Sequence, residues 1–565
     1  MKNIIIVECR STGTNYIEDI INRGYNPVVL ECRYGDSERG EEYKTNSIKE
    51  YDDIKYDFDM IYEQDTYEET LKIVEKFDPI LILPGNERGV ILACKLANDL
   101  NLLCNPIENL DAMTLKHEMQ NKIAEHGLRS IRGKVVKSLD DAIEFYDSEQ
   151  LKEVVLKPSY SAGSVSVKIC LSRDEMINAF NELMTEYNVY GEKLNEILIQ
   201  ERINGTEYIV NTVSCEGRHY VTLVWKYSKV RTSEGSIVYD TCETVDELNI
   251  GEAEMIEYAY NVADAIGIQY GPIHGEFMID EKGPVLIEVN CRPCGGHMES
   301  EFLEKISGQH ETDSILDCYL KPKRFFEKQK KKYHLYAHGA LKFFIVPQDL
   351  VAIASPMYHI SAQLESYYKI NLDKINADDK KTYFKTIDAD TACGIAYLVN
   401  EDKGVIQRDI NYLRKVEQDA FSLILTEDVP KTEMIENNTD FDKIKELLRT
   451  NDKYGNGIIV TDEKIDNCNF LQVNPNQLDD VGGKFDYIII NLGDSLINKD
   501  PYDLVQIILD SFSKVKLGGM IFIPKTTYDL FNGGRKGMEA LIKALNYKIE
   551  LPPDFIKETI IASRR

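Results

Sequence analysis

Two glutamates and an asparagine at strand spacing are the side chains in this sequence best suited to hold a metal. They lie in Gly275-Glu276-Phe277-Met278 and in Leu286-Ile287-Glu288-Val289-Asn290-Cys291-Arg292-Pro293. Because side chains two apart share a strand face, Glu288 and Asn290 are predicted to point the same way. The side chains of Ile287 and Val289 are then predicted to pack into the core. An isolated Glu-x-Asn on a strand is most often only a solvated face.

A hairpin is predicted between these two segments. The short connection Glu281-Lys282-Gly283 would bring Glu276 beside Glu288 and Asn290, so that three oxygen ligands converge. Such a set suits Mg²⁺, which takes one or two protein carboxylates together with nucleotide phosphates. Arg292 follows the ligands and is placed to hold an anionic oxygen.

Two lysines and a small-residue loop precede the predicted metal site. Lys116 and Lys157 each lie near a turn, and Lys157 is followed by Ser159-Tyr160-Ser161-Ala162-Gly163-Ser164. A loop of small residues offers its backbone N–H groups to phosphate oxygens. Each of these signals is weak alone.

Alternating strands and helices are predicted to position these residues. Over the first hundred residues the pattern predicts strands at 3–8, 27–31 and 80–83 and helices at 16–23, 66–77 and 90–100, which favours a parallel sheet covered by helices. The turn Pro84-Gly85-Asn86-Glu87 follows a strand of this sheet, where such sheets bind ligands. Further strands are predicted at 154–158, 196–201, 207–213, 219–225, 275–280 and 285–290, and helices at 115–126 and 253–266.

Composition excludes several classes of function. The chain has 565 residues and a net charge of −29, from 66 basic and 95 acidic side chains, so binding of nucleic acid or anionic membrane is not expected. The first apolar run is too short for a signal-peptide core, and there is no run of about 18 apolar residues. Twelve scattered cysteines favour reduced thiols, so we expect a cytoplasmic protein.

In this order, the motifs resemble the ATP-grasp superfamily. The matching pieces are Thr114 to Met119, Val155 to Val167, Ile199 to Glu207, and Ile287 to Arg292 with Glu276 upstream. The resemblance implies a multidomain α/β and α+β fold. A Rossmann-like pre-ATP-grasp domain at 1–112 would precede an ATP-grasp core at 113–322, which divides into a small lobe with its lid at 113–203 and a metal-binding lobe at 204–322. An α+β segment at 323–430 and a small Rossmann-like α/β domain at 431–565 would follow.

The resemblance also implies the nucleotide contacts. Lys116 and Lys157 would touch phosphates, and the lid residues Ser159, Ser161, Gly163 and Ser164 would close over them. The hinge Gln200, Glu201, Arg202 and Ile203 would hold adenine, with Glu201 accepting from its amino group, and Glu207 would hold the ribose. ATP and Mg²⁺, or Mn²⁺ in its place, would be the cofactors, with Glu276, Glu288 and Asn290 as metal ligands. Arg292 would be catalytic, stabilising the transferred phosphate or the following oxyanion.

Within the superfamily, Tyr220 to Tyr227, Ile237 to Asp240 and Tyr270 to Glu276 are similar to carboxylate–amine ligases of the L-amino acid ligase type. This likeness implies activation of a carboxylate as an acyl phosphate and attack by an amine, with two amino acids as the expected substrates. Glu87, Trp225, Tyr239 and His274 are candidate substrate residues. A core aromatic is the safer interpretation of Trp225, whereas a structural histidine is an equally open interpretation of His274.

Other functions stay open on the sequence. A different ATP-grasp carboxylate ligase would share every motif, and a catalytically silent nucleotide-binding scaffold is a second alternative. Cys291-Arg292-Pro293-Cys294 has redox spacing but directly follows the metal strand. Phe485 to Gly493 and Leu517 to Pro524 resemble the later half of a class I methyltransferase, yet no Gly-x-Gly-x-Gly loop occurs between Glu427 and Asp486. We therefore expect a degenerate domain for packing or homodimerisation.

Overall fold

A computed structural model gives the fold of the chain in two compact units. It describes residues 1–565 except 36, 39, 42–43, 46–48, 52–53, 161–165, 189, 233–236, 247, 330–332, 347–349, 352–359, 372–381, 384, 388–390, 423–442, 445, 447, 449–455, 463–470, 479–480, 482, 494–500, 531–533, 546, 553–555, 557 and 565. One unit comprises Met1–Lys229, Thr241–Ala340 and Val399–Lys403. The other comprises Val230–Asp240, Leu341–Leu398 and Gly404–Arg565.

The first unit begins with a four-stranded parallel sheet. Its strands are β1 (Asn3–Val7), β2 (Asn26–Glu31), β3 (Asp59–Tyr62) and β4 (Pro79–Pro84), in the order β3-β2-β1-β4. The helices are α1 (Asn15–Asn22), α2 (Tyr67–Glu75) and α3 (Gly89–Asp99). Apolar side chains of β1 are fully buried on both faces, as a central parallel strand requires.

Close backbone approaches fix the loop that follows β4. A Cβ on Gly85 would lie 2.6 Å from the carbonyl oxygen of Glu8, and one on Gly89 would lie 2.3 Å from that of Val7. Glu8 itself has a left-handed φ of 58°. The two glycines therefore let the 85–89 loop pack directly on the end of β1, which fixes the position of Glu87.

A small antiparallel lobe comes next along the chain. After the short helix α4 (Leu110–Thr114) and α5 (Lys116–Glu125), it contains β5 (Gly133–Val136), β6 (Val154–Lys157), β7 (Lys168–Cys170) and β8 (Ile197–Glu201), in the order β5-β8-β6-β7. Helices α6 (Leu139–Ser148) and α7 (Arg173–Leu183) cover one face. Ser138 and Ser172 cap these helices by accepting from the N–H of Asp141 and of Glu175.

The larger lobe of the same unit is built on antiparallel strands. These are β9 (Thr206–Cys215), β10 (Arg218–Arg231), β11 (Ile237–Thr244), β12 (Gly271–Asp280) and β13 (Gly283–Asn290); the first unit contains them in the order β13-β12-β9-β10 with the end of β11. Helix α8 (Ile250–Ile266) packs on the sheet and begins with a capping box between Asn249 and Glu252. The predicted hairpin is present, because β12 pairs antiparallel with β13.

A β-bulge in this hairpin corrects one prediction. Glu276 pairs with Glu288, but the next residue, Phe277, pairs with Leu286, so Ile287 is the extra residue. Ile287 is only half-buried, whereas Leu286 is fully buried in the core. The prediction that Ile287 packs into the core was wrong, because the bulge turns Leu286 to the face that regular alternation would give to Ile287.

Three helices complete the described elements of the first unit. They are α9 (Ser300–Ser307), α10 (Glu311–Leu320) and α11 (Pro322–Gln329). Side chains of α10 pack against α1 in one buried cluster that includes Tyr16, Ile17 and Ile315. This packing anchors the start of α10 on α1, where the hydroxyl of Thr312 donates to the carboxylate of Asp19.

The second unit contains two groups of elements. The first has β14 (His338–Phe343), β15 (Leu350–Val351), β16 (Tyr367–Asn371), β17 (Thr382–Tyr383), β18 (Ile395–Asn400) and α12 (Lys403–Ser422), with parts of β14 and β18 assigned to the first unit. Its core contains an ion cluster in which the fully buried Lys342 lies 2.9 Å from Asp240 and 2.6 Å from Glu417. Each charge in this cluster is paired, as burial requires.

The second group is a six-stranded mixed sheet. Its strands are β19 (Gly457–Val460), β20 (Leu471–Val473), β21 (Phe485–Ile490), β22 (Val515–Ile523), β23 (Tyr547–Glu550) and β24 (Ile560–Arg564), in the order β20-β19-β21-β22-β24-β23. Helices α13 (Pro501–Ser513), α14 (Lys525–Tyr528) and α15 (Gly534–Ala544) connect them. The first four strands in this order are parallel, and β24 runs antiparallel to both of its neighbours. The boundary predicted between the 323–430 segment and the 431–565 domain lies outside the described residues.

Within the described part of the chain, none of the helices has the length and apolar character needed to cross a bilayer.

Candidate active site

Glu288 lies at the centre of a cluster of charged side chains in the first unit. Its Oε2 is 2.9 Å from Nζ of Lys116, the first residue of α5. Its Oε1 accepts a 3.4 Å hydrogen bond from Nδ2 of Asn290, two residues further on the same strand face. Glu276 is directly opposite Glu288 on β12. The structure therefore brings together the three predicted metal ligands and one of the two predicted phosphate lysines.

The charged groups of this cluster shift the pKa values of one another, some upwards and some downwards. Burial opposes ionisation of Glu288, but the positive charges of Lys116 and Lys157 outweigh it and lower the pKa of Glu288 to about 2. Loss of hydration, with repulsion by Glu288, raises the pKa of Glu276 to about 8. Burial also lowers the pKa of Lys157 to about 8. Of two facing carboxyl groups, one is ionised and the other protonated near neutrality.

The donor set fits a hard dication. A divalent ion between Glu276 and Glu288 would relieve the repulsion that raises the pKa of Glu276. Two carboxylates and one amide leave most of an octahedral shell for phosphate and water, as Mg²⁺ prefers. Among the described residues, no group of three or more His, Cys, Asp and Glu side chains is arranged as a metal site. Cys291 and Cys294 are both buried, and their thiols are free.

His274 lies on β12, two residues before Glu276, and is held by an asparagine. Its Nδ1 forms a 2.9 Å hydrogen bond with Oδ1 of Asn211 on β9, and its Nε2 is 3.8 Å from Oε1 of Glu276. Burial lowers the pKa of His274 to about 3, so the ring is neutral. With Nδ1 donating to Asn211, Nε2 presents a lone pair to the cluster.

Arg292 and Glu87 meet from different parts of the chain. Arg292 Nε lies 3.6 Å from Oε2 of Glu87, which is too long for a hydrogen bond, and both atoms lack a hydrogen-bond partner among the described residues. Burial raises the pKa of Glu87 to about 7, against the opposing charges of Arg292 and Lys116. The loop after β4 thus delivers one acidic group to the catalytic arginine predicted from the sequence.

The residues predicted to form the hinge lie at the end of β8. The carboxylate of Glu201 accepts 3.0 Å and 2.8 Å hydrogen bonds from Nε and Nη2 of Arg132. Arg202 is similarly paired with Glu153 at 2.9 Å. The amide nitrogen of the buried Gln200 has no hydrogen-bond partner among the described residues. Ile203 lies in the turn between β8 and β9.

The remaining candidate residues fall in several places. Glu207 is buried on β9 and lies 2.5 Å from Lys229 Nζ. Ser159 is buried, with no hydrogen-bond partner for its hydroxyl among the described residues. Ser161, Gly163 and Ser164 lie outside the described residues. Trp225 is only 1% exposed, as expected for a core aromatic. The ring of Tyr239, in the second unit, packs against Phe343.

Three residues of this region were missed by the sequence analysis. Lys229 pairs with Glu207, Asn211 orients His274, and Glu311 accepts from the backbone N–H of Cys294. Asn211 could have been found, because it lies four residues after Glu207 and therefore on the same strand face. Glu311 carries no such signal, since it begins a helix far from the metal strand in sequence.

Comparison with known proteins agrees with this geometry. Residues 151–301 match the family described as the ATP-grasp domain. The chain is 27% identical to dapdiamide A synthase of Enterobacter agglomerans over 350 residues, which is 61% of this chain and 81% of that protein. It is 24% identical to alanine–anticapsin ligase of Bacillus subtilis over 313 residues, which is 49% of this chain and 64% of that protein.

A solved structure shows the same fold. The crystal structure of L-amino acid ligase from Bacillus licheniformis superposes with a TM-score of 0.56 at 15% identity, covering 74% of this chain and 97% of that one. The ATP-grasp match over residues 151–301 and two relatives that are named as a synthase and a ligase support an enzyme of the ligase class.

Proposed function

We propose that the enzyme joins a carboxylate to an amine through an acyl phosphate, with release of ADP and phosphate. The observation that carries this proposal is the cluster of Glu276, Glu288, Asn290 and Lys116, with Arg292 two residues beyond Asn290. A carboxylate is a poor electrophile, so its activation by phosphoryl transfer requires positive charge around the transferred group. Lys116, Lys157 and Arg292 supply that charge. A silent nucleotide-binding scaffold would not need this full set.

Each residue of the cluster has a part in the proposed mechanism. Glu276, Glu288 and Asn290 would hold Mg²⁺, which when bound would neutralise charge on the ATP phosphates. Lys116 would exchange its contact with Glu288 for a phosphate oxygen, and Lys157 would bind a second phosphate. Arg292 would stabilise the oxyanion formed when the amine attacks. The lid after Lys157 would exclude water, which hydrolyses acyl phosphates.

The nucleotide itself would lie along the hinge. Because the Glu201 carboxylate is bound to Arg132, we propose that the backbone of residues 201–203 holds adenine. Glu207 would accept from the ribose hydroxyls, with Lys229 fixing its orientation. Ser159 and the residues after it would contact phosphates.

Amino acids are the proposed substrates. The support is the similarity to an alanine–anticapsin ligase and the fold shared with an L-amino acid ligase. A ligase for another carboxylate or another nucleophile would use the same metal and phosphate groups. Substrate profiling therefore decides between them.

We propose that the second group of elements in the second unit is a methyltransferase-like fold without the methyl donor site. The support is the strand order with an antiparallel β24 inserted beside β22, together with the missing glycine-rich loop in the sequence. Packing or homodimerisation would be its role. Calorimetry with S-adenosylmethionine should give no binding heat, and light scattering should show a dimer that dissociates when this part is removed.

The function is tested by incubating the protein with Mg-ATP and pairwise pools of the twenty amino acids. Phosphate release that requires two amino acids, with a product mass equal to their sum less water, would establish the ligase and identify its substrates. Glu288→Gln is the matched control, since it keeps the shape of the side chain and removes its charge. Phosphate release without amide formation, or equal release by Glu288→Gln, would refute the proposal.

A further inference from the structure

The loop after β1 contacts the segment that carries Arg292. The β1 loop comprises residues 8–14, and the Arg292 loop comprises residues 291–298. The hydroxyl of Thr12 accepts a 2.9 Å hydrogen bond from the backbone N–H of Met298, and its oxygen lies 3.6 Å from Sγ of Cys294. Thr12 is only 1% exposed, so a buried side chain that has no part in the mechanism above joins the two loops.

Two neighbours of Thr12 add to this contact. The hydroxyl of Ser11 accepts a 2.9 Å hydrogen bond from the backbone N–H of His297. The side-chain amide of Asn15 donates a 2.8 Å hydrogen bond to the carbonyl oxygen of Met298. Ser11 and His297 have left-handed backbones, with φ of 53° and 47°. Residues other than glycine keep this conformation only where the surrounding contacts impose it, so strain is concentrated where the two loops meet.

The orientation of Arg292 depends on its own loop. Its Nη1 donates a 2.9 Å hydrogen bond to the carbonyl oxygen of Pro293. A Cβ on Gly295 would lie 3.9 Å from the same nitrogen, which is ordinary van der Waals contact. The guanidinium therefore rests on the Arg292 loop, and a shift of this loop would move the charge with it.

The β1 loop also contacts the segment that carries Glu87. A Cβ on Gly13 would lie 2.2 Å from the carbonyl oxygen of Gly85, so the two backbones touch with no room for a side chain. Gly85 is two residues before Glu87, whose Oε2 lies 3.6 Å from Nε of Arg292. The β1 loop therefore contacts the segments that carry both of these charged groups.

We propose that the β1 loop positions Arg292 for the reaction, with Thr12 as the main positioning residue. This inference rests on the proposed ligase function, in which Arg292 stabilises the oxyanion. A preorganised donor is effective only while it is held in place, and a displacement of about 1 Å can cost about 100-fold in rate. The groups proposed to bind ATP lie on other elements, so the affinity for ATP should not depend on Thr12.

The test compares two changes of Thr12. Thr12→Val keeps the shape of the side chain and removes the hydroxyl, whereas Thr12→Ser keeps the hydroxyl. We expect Thr12→Val to lower kcat for amide formation by about 10- to 100-fold. The KM for ATP in Thr12→Val, and kcat in Thr12→Ser, should stay within about twofold of wild type. Hydrogen exchange in a peptide spanning residues 291–298 should become faster in Thr12→Val, because the Met298 N–H loses its acceptor, and unchanged exchange would overturn the proposal.

A double-mutant cycle shows whether Thr12 acts through Arg292. In the Arg292→Ala background, Thr12→Val should change kcat by less than about twofold, because the group that it positions is already absent. Equal fold losses in the two backgrounds would overturn the proposal, since Thr12 would then act independently of Arg292. If Thr12→Val does not fold, Ser11→Ala takes its place in the cycle, because it removes an acceptor at the exposed side of the same contact.

Thr70→Val is the matched control. Thr70 is also 1% exposed, and its hydroxyl also accepts a 2.9 Å hydrogen bond from a backbone N–H, that of Gln64. Thr70→Val should lower the urea midpoint about as much as Thr12→Val but leave kcat unchanged, and an equal loss of kcat would overturn the proposal in favour of a general loss of stability. Glu301→Gln, where the side chain is 72% exposed on α9, should change neither quantity. Absence of amide with the wild-type enzyme would instead refute the ligase function itself.

Discussion

Replacement of Glu276 by glutamine should stabilise the nucleotide-free protein while it abolishes turnover. The pKa of Glu276 is raised from 4.5 to about 8 by lost hydration and by Glu288. The pKa of this carboxyl group is higher in the folded state than in the unfolded state. As pH rises, the unfolded chain therefore loses the proton first, which lowers the free energy of unfolding. Its contribution is therefore lost as pH rises from about 4.5 towards about 8.

The magnitude follows from the same values. At pH 7 an unfolded chain ionises Glu276 freely and the folded chain does not, which costs the folded state about 3 kcal/mol at about 1.4 kcal/mol per pH unit. Because the side chain is 28% exposed, water reduces this cost, and we expect about 2 kcal/mol. Glutamine is neutral at every pH and avoids the cost.

Trp225 provides the assay, because it is the only tryptophan and lies buried in the larger lobe of the first unit. Urea unfolding followed by its fluorescence should give a higher midpoint for Glu276→Gln than for wild type. The gap should be small near about pH 5 and largest above about pH 8, where the unfolded and folded states differ most in bound protons. Glu301→Gln is the surface control. A gap that is absent, reversed or independent of pH would refute the reasoning, since Glu276 would then already be ionised in the free protein.

Three further outcomes are expected. Glu288→Ala should abolish ligation with the fold retained by circular dichroism, because a metal ligand and the partner of Lys116 are lost; full turnover would contradict the metal site. Arg292→Ala should lower kcat by about 100-fold, as for other lost oxyanion donors, while calorimetry shows nucleotide affinity nearly unchanged. His310 bonds Asp19 and Glu304 at 2.9 and 2.7 Å, and these carboxylates raise its pKa despite burial. The stability that His310 adds over His310→Gln should therefore be largest in mild acid and shrink as pH rises, as measured by urea midpoints, and a constant difference would exclude a charged His310.

Much of the site could be predicted because it follows strand periodicity. Glu288 and Asn290 share a face, and a two-strand hairpin must bring Glu276 close, so spacing alone predicted that these three side chains lie together. Lys116 and Lys157 needed the order of motifs along the chain, since an isolated lysine near a turn carries little information. The ATP-grasp resemblance supplied that order.

What could not be predicted depends on contacts between distant segments. Nothing local to Glu311 shows that α10 packs on α1 and so places this residue behind Cys294. The engagement of Glu201 by Arg132 likewise depends on the pairing of β5 with β8. Ile287 was misplaced because regular alternation was assumed through a strand that contains a bulge. Side-chain periodicity holds only where strand pairing is uninterrupted.

That bulge has a consequence for how this hairpin can evolve. A strand of period two has a single parity, so choosing the face of one residue fixes the face of all others. In β13 the extra residue, Ile287, shifts the alternation by one position. Leu286 can therefore face the core while Glu288 lies opposite Glu276. Without Ile287, regular alternation could not both bury Leu286 in the core and keep Glu288 beside the other predicted metal ligands. Evolution should therefore not tolerate the insertion or deletion of a single residue in β13. Insertion or deletion of two residues at the hairpin turn would preserve both the core packing and the positions of the predicted metal ligands.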